Sequence, residues 1–137
     1  MSLGTCGKTR QPHIAPVYFV SDANALLYFF SKPTSQHIQD IGENNSAAVS
    51  IYPECFDLDE IRGVQMLGVV EKYSSSRDPN AVWDLYKTKF PFVSKLGVLL
   101  SDNELFVFRP HWVRIVDNHV RFGYKKEFSM KSGTQEW

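Results

Sequence analysis

No run in this chain is apolar for long enough to span a bilayer, and its opening residues lack the pattern of a secretory signal. Charge of one sign is also missing: 15 Lys and Arg face 15 Asp and Glu. Global electrostatics therefore favours neither a nucleic acid nor an anionic membrane as partner. Cysteine is scarce. Cys6 and Cys55 show no metal or redox spacing, so a reduced, cytoplasmic protein is expected, with a single disulfide left open. There is no Gly-rich phosphate loop, dinucleotide fingerprint, paired-cysteine zinc pattern or nucleophile-elbow serine. The four histidines, His13, His37, His111 and His119, lack the spacing of a helical metal pair. No metal site is expected, and covalent catalysis has no support in the sequence.

What is present is aromatic. Phe, Tyr and Trp make up 14% of 137 residues, enough for one well-packed domain and against disorder in its body. The most informative stretch is Leu26 to Gly42, LLYFFSKPTSQHIQDIG. Its first five residues have the length and aromatic content of a buried strand. Ser31, Lys32, Pro33, Thr34 and Ser35 follow, and then a short helical pattern from Ser35 to Ile41 stopped by Gly42. A strand feeding a helix whose first turn carries hydroxyls and an ammonium makes an anion cradle, because free N–H groups and the positive dipole end point there. The alternative at this stage is that Thr34 or Ser35 merely caps the helix.

Further strands are expected at His13–Val20, Ala47–Tyr52, Ile61–Tyr73, Glu104–Val116 (interrupted at Pro110) and Val120–Tyr124. The first two in chain order should form a hairpin through Ser21–Asn24. Gly63 and Gly68, inside a strand, mark a bulge, a bend or a close approach. Asp78 and Pro79 open a helix that runs to Phe90, with a further turn possible in Phe92–Leu100. About six antiparallel strands and two or three short helices give a mainly β (α+β) fold, a small barrel with helices outside. The single domain takes residues 1–128, followed by a polar tail over 129–137. Met1, Ser2 and Leu3 read as an added leader, ahead of a chain from which a natural N-terminal element is missing.

Such a barrel suits a flat, phosphorylated cofactor that carries the reaction chemistry itself. The order of segments resembles the pyridoxamine-phosphate oxidase-like FMN-binding split barrels. Gln11–Phe19 (QPHIAPVYF) is similar to the family's strand beginning G-x-P-H, and Leu27–His37 to its L-Y-F-x-T…T-S-x-K turn. Ile61–Gly68 (IRGVQMLG) resembles its strand leading to V-x-G, followed by a helix ending K-F-P; Val120–Lys126 (VRFGYKK) is the fourth segment. The phrases IRGVQ, KFPFVSKL and FGYKK together resemble a small bacterial branch. The likeness departs in two places: the family's lysine after T-S-x is here His37, and its usual N-terminal helix is absent.

The resemblance implies a six-stranded antiparallel split β-barrel that is a homodimer with FMN at its interface. It implies that Ser31, Lys32, Thr34, Ser35 and His37 surround the FMN phosphate. The backbone of Ile14, Ala15, Pro16 and Val17 would flank the ring, and the Gln65 amide would meet the ring edge or ribityl chain. For Gln65 an outward-pointing side chain is the alternative, and for Ile14 and Val17 plain core. Three functions follow as candidates. The first is an FMN-dependent oxidoreductase acting on an unidentified small molecule, with its catalytic residues unknown. The second is a non-enzymatic flavin- or haem-binding module using His13, His111 or His119 as axial ligand. The third is an interaction domain without cofactor.

Overall fold

Leu3 and Thr5 are buried while Ser2, Gly4 and Cys6 are less so, the two-residue period of a strand with one face on a core. This strand, β1 (Ser2–Cys6), is where an added leader was expected; it is instead an integral part of the sheet. A computed structural model describes residues 1–74, 79–95, 97 and 101–130. The other strands are β2 (Pro12–Pro16), β3 (Val20–Ser21), β4 (Leu27–Ser31), β5 (Ser46–Ile51), β6 (Arg62–Lys72), β7 (Glu104–Asp117) and β8 (Lys125–Ser129). Two helices, α1 (Gln36–Glu43) and α2 (Pro79–Lys89), flank them, with short 3-10 turns at Leu58–Glu60 and Pro91–Lys95. The mainly β split barrel with short flanking helices is thus observed. Among the described residues it has eight strands in place of the six expected: β1 is additional, and the expected His13–Val20 strand divides into β2 and β3.

All pairings are antiparallel, in the order β2-β1-β5-β6-β7-β4-β3, with β8 also on β7. The split lies within β7. Its first part, Glu104–Phe108, pairs with β4, and its last part, Trp112–Val116, pairs with β8, while β6 runs beside both. The change of partner falls at Pro110 and His111. Leu67 is opposite Trp112 but Gly68 is opposite Pro110, so His111 is the extra residue of a bulge. The strand therefore continues through Pro110 instead of stopping there. The expected bulge at Gly68 is present, and Gly63 sits where a side chain would press on Ile51 O and Tyr52 Cβ at 3.0 and 3.1 Å.

The strand β4 is buried on both sides. Leu27 and Phe29 join Leu3, Val49, Met66, Phe106 and Phe108 inside the curl, beneath Ile38 and Ile41 of α1. Tyr28 turns the other way, against Val20, Val107 and the buried face of α2, Val82 and Tyr86. Pro79 begins α2 as expected, and the cap expected at Asp78 lies outside the described residues. Of the tail expected over 129–137, Ser129 is instead the last residue of β8, and residues 131–137 lie outside the described residues. Two other expectations need correcting. The helix α1 runs through Gly42 to Glu43, where Asn44 ends it and ties its side-chain amide to Cys6 O at 2.9 Å. The closing strand is Lys125–Ser129; Val120–Tyr124 forms the loop before it, since Asn118 bonds Ile61 O, Leu58 O and Gly123 N and folds that stretch back. Among the described residues no helix is long and apolar enough to cross a membrane, and both cysteines are free thiols.

The helix α1 has only eight residues, too few to stand without tertiary support. Asp40 supplies it. Its carboxylate, 4% exposed, accepts from Thr5 Oγ1 at 2.8 Å, His13 Nδ1 at 2.8 Å and Gln36 Nε2 at 2.9 Å, joining the helix to β1 and β2. The Gln36 bond, followed by those from Thr5 and His13, holds its pKa below the ordinary value although burial opposes this. A depressed carboxyl pKa contributes stability above the unfolded value of about 3.9, which is lost as the pH falls through the folded value. Asp40→Asn should therefore be less stable than the native chain by about 1–3 kcal/mol at pH 7. Urea unfolding should show that gap closing as the pH drops below about 4; a gap independent of pH would refute this role. A second substitution tests the bulge. A Cβ at Gly68 would overlap Arg109 O and come within 2.7 Å of the Phe108 ring. Gly68→Ala should cost about 3 kcal/mol, at the upper end for overpacking, read from the denaturant midpoint.

Candidate functional site

Where β4 ends, the chain turns through Lys32, Pro33 and Thr34 into α1. Ser35 occupies the N-cap position in extended conformation, yet its side chain makes no capping hydrogen bond. Its hydroxyl instead donates backward to Lys32 O at 2.7 Å. The first turn of α1 is thus left without the side-chain cap that Ser usually provides. Ser31, the last residue of β4, is buried, with its Oγ 2.6 Å from Nε2 of His37; Ser35 Oγ is 3.4 Å from the same nitrogen. Burial lowers the His37 pKa, and the nearby Asp40 carboxylate only partly opposes this.

These residues form one rim of a cavity of about 300 Å³. Ser31, Lys32, Ser35, His37 and Asn103 give it a polar end. Much of the remaining lining is aromatic: Tyr18, Phe30, Tyr86, Phe90 and Phe92. Tyr18 meets Phe90 edge-on at 5.3 Å, and Phe30 meets Tyr86 at 5.1 Å between ring centroids, spacings at which such pairs attract beyond their buried area. The Tyr86 hydroxyl is 3.1 Å from Tyr18 O and 2.9 Å from Tyr28 O and shares its proton between them. Burial raises its pKa, so the phenol stays neutral. Lys89 adds a bond to Phe19 O at 2.7 Å. The segment between β2 and β3, which has left the sheet, is in this way clamped by α2.

Six of the ten residues expected at a cofactor site line this cavity: Pro16, Val17, Ser31, Lys32, Ser35 and His37. Thr34 is exposed and off the lining, Ala15 is half-buried, and Ile14 is 77% exposed on the outer face. Gln65 also points outward, with its Oε1 3.3 Å from the Arg114 guanidinium. Alternation could have shown this, since Met66 next to it is buried. The sequence does not mark the aromatic wall: Phe30 reads there as part of a buried strand, and Tyr86 and Phe90 as the apolar side of a helix. The histidines considered as iron ligands lie elsewhere. His13 is bound to Asp40, His111 is in the bulge, and His119 is 3.3 Å from Asp117 beside a polar cavity with Glu54, Glu60 and Arg62. Among the described residues no three His, Cys, Asp or Glu side chains converge as a metal site.

Comparison with solved structures shows the same fold at low identity. A heme binding protein from Mycobacterium smegmatis superposes with a TM-score of 0.75 at 17% identity, over 93% of this chain and 51% of its own. The chain thus spans about half the length of that protein. The heme storage protein HutZ from Vibrio cholerae gives 0.66 at 14% identity, over 80% of this chain and 79% of its own. General stress protein 26 from Bacillus anthracis gives 0.64 at 19%, over 94% and 87%. No curated protein matches the sequence. The family model described as pyridoxamine 5'-phosphate oxidase matches residues 1–117, which take in both helices, the whole cavity lining and seven of the eight strands, and the chain therefore belongs to that family.

Proposed function

We propose that this protein binds FMN, with the phosphate on the rim of Ser31, Lys32, Ser35 and His37 and the ring extending toward Pro16, Val17 and the aromatic wall. The observation that carries this reading is the serine at the N-cap that does not cap. Uncapped backbone donors, hydroxyls and an ammonium line the same cavity as a set of aromatic side chains, a combination suited to a ligand with an anionic head and a flat body. Thr34 is close enough in sequence to take part if the turn adjusts, and Gln65 and Ile14 would serve from the outer face. Bound flavin would supply hydride-transfer chemistry, and the protein would bind, orient and shield it. The function is then that of an FMN-dependent oxidoreductase, cytoplasmic and acting on a small molecule.

A second reading, non-enzymatic storage or binding of flavin or haem, is favoured by the descriptions of two structural relatives as heme-binding and heme-storage proteins. The absorption spectrum of the loaded protein separates the two, flavin bands against a Soret band. The phosphate assignment has its own test by flavin fluorescence titration. Lys32→Ala should weaken FMN about ten- to hundredfold, the worth of one charge-assisted hydrogen bond, and leave riboflavin unaffected. Ser35→Ala, which removes a hydroxyl that donates to Lys32 O, and Thr34→Ala should cost less. Equal losses for FMN and riboflavin would remove the phosphate from this rim.

The homodimer belongs to the same proposal, and the outer face of the sheet supports it. One row of register partners, Ile14, Gly4, Ala48, Leu67 and Trp112, crosses five strands. Two large side chains in it, Ile14 and Leu67 at 45% exposed, stand on either side of two small ones, a relief into which a second copy can pack. Leu67→Glu places a charge in that row and should convert a dimer into monomer in sedimentation velocity; an unchanged dimer would move the interface elsewhere.

A further inference from the structure

The hydroxyls at the rim are already spent. Ser35 donates its only proton to Lys32 O. Ser31 is 2.6 Å from His37 Nε2, and with that nitrogen unprotonated, Ser31 must donate to it. In this arrangement the rim offers an anion neither hydroxyl proton and no charge from the imidazole. Place a proton on Nε2 and the bond reverses: His37 donates, Ser31 accepts, and the Ser31 proton is released toward the cavity. One protonation thus adds a positive charge and a donor together. A lysine at this position, charged at any ordinary pH, could not act as such a switch.

We propose that anion binding at this rim is coupled to uptake of one proton by His37, so that the site takes phosphate-bearing ligands more tightly as the pH falls. The inference rests on the phosphate reading of the rim and adds its regulation. The groups around His37 agree with it. Lys32, on the turn, and the neutral Tyr86, across the cavity, leave the imidazole as the switchable charge; Asn103 and Tyr18 add uncharged side chains. Asp40, one turn along α1, attracts the proton, but its carboxylate is shared among Thr5, His13 and Gln36. Glu104, the register partner of Ser31, is occupied by Lys72 at 2.7 Å. In the unliganded site, burial of the ring disfavours its charged form; an anion on the rim acts in the opposite sense.

Two measurements on the full chain test this. The first follows the His37 imidazole by NMR across pH 5 to 9 with and without inorganic sulfate, which does not itself titrate there. Sulfate should raise the apparent pKa of His37; no change would overturn the proposal whether or not flavin binds. The second is FMN affinity against pH. Native protein should tighten toward acid by up to about tenfold per pH unit, the limit for one coupled proton. The opposite trend is expected from the FMN phosphate alone, whose second ionisation, near pH 6, lowers its charge as the pH falls. His37→Lys should bind strongly with the acid tightening gone, and His37→Gln weakly with it gone. Acid tightening that survives in His37→Gln would assign the proton to another group and overturn the coupling. If FMN fails to bind at every pH while sulfate still raises the His37 pKa, the flavin reading falls and the proton coupling stands.

Discussion

The rest of the structure depends on the double burial of β4. Leu27 and Phe29 are sealed in the curl of the sheet, and Tyr28 is sealed under α2, so the strand has no face for water. Phe29 and Phe108 are fully buried. Large buried aromatics of this kind cost about 3–5 kcal/mol on truncation, so the position of β4 is as firmly fixed as any in the chain. Its last residue is Ser31. The rim is therefore set by the core: the Ser31 hydroxyl cannot move without β4, and β4 cannot move without unpacking both layers. A site on such an element is more exactly held than one carried by a loop.

The cavity lies where the segment between β2 and β3, the end of β4 and the helix α2 come together. Between β2 and β3 the chain leaves the sheet, and Val17, Tyr18 and Phe19 are held by Met1 O, the Tyr86 hydroxyl and Lys89. This breaks the long strand expected from the alternation of His13–Val20. Its cause is tertiary: Tyr86 is 68 residues from Tyr18, and no local pattern records that the helix would pull the segment away. The change of partner along β7 acts similarly. The bulge at His111 opposite Gly68 lets one strand serve β4 first and β8 afterwards, which opens the barrel along one side.

Those facts explain what could be read in advance. The run LLYFF, the start of α2 at Pro79 and the disruption at Gly68 are each written in local residue chemistry, and each was legible. Ser2–Cys6 was not, because Ser and Gly carry little strand signal, only Leu3 marks its buried face with a large apolar side chain, and its neighbour β5 is more than 40 residues away. The strand Lys125–Ser129 was missed for a different reason. All five of its residues are exposed, so no hydrophobic alternation marks it, whereas the more apolar Val120–Tyr124 is pulled into a loop by Asn118. At the site, the polar rim was legible because its residues are contiguous in sequence. The aromatic wall is assembled from Tyr18, Phe30, α2 and the turn after it, and only the fold brings these together.

The rim also shows how stability and binding are divided between neighbouring residues. A serine at an N-cap ordinarily contributes about 1 kcal/mol by capping, and Ser35 forgoes this. The loss falls on a helix of eight residues, among the least able to bear it. Asp40 makes good the loss from the middle of the same short helix, with three side-chain bonds that reach β1, β2 and the first turn. The anchoring is placed at the buried Asp40 carboxylate, which leaves the amides of the first turn and the polar edge around His37 available to a ligand. Capping at Ser35 would have stabilised α1 locally but occupied the donors that the cavity needs. In this fold the helix is held by its middle so that its beginning can remain open.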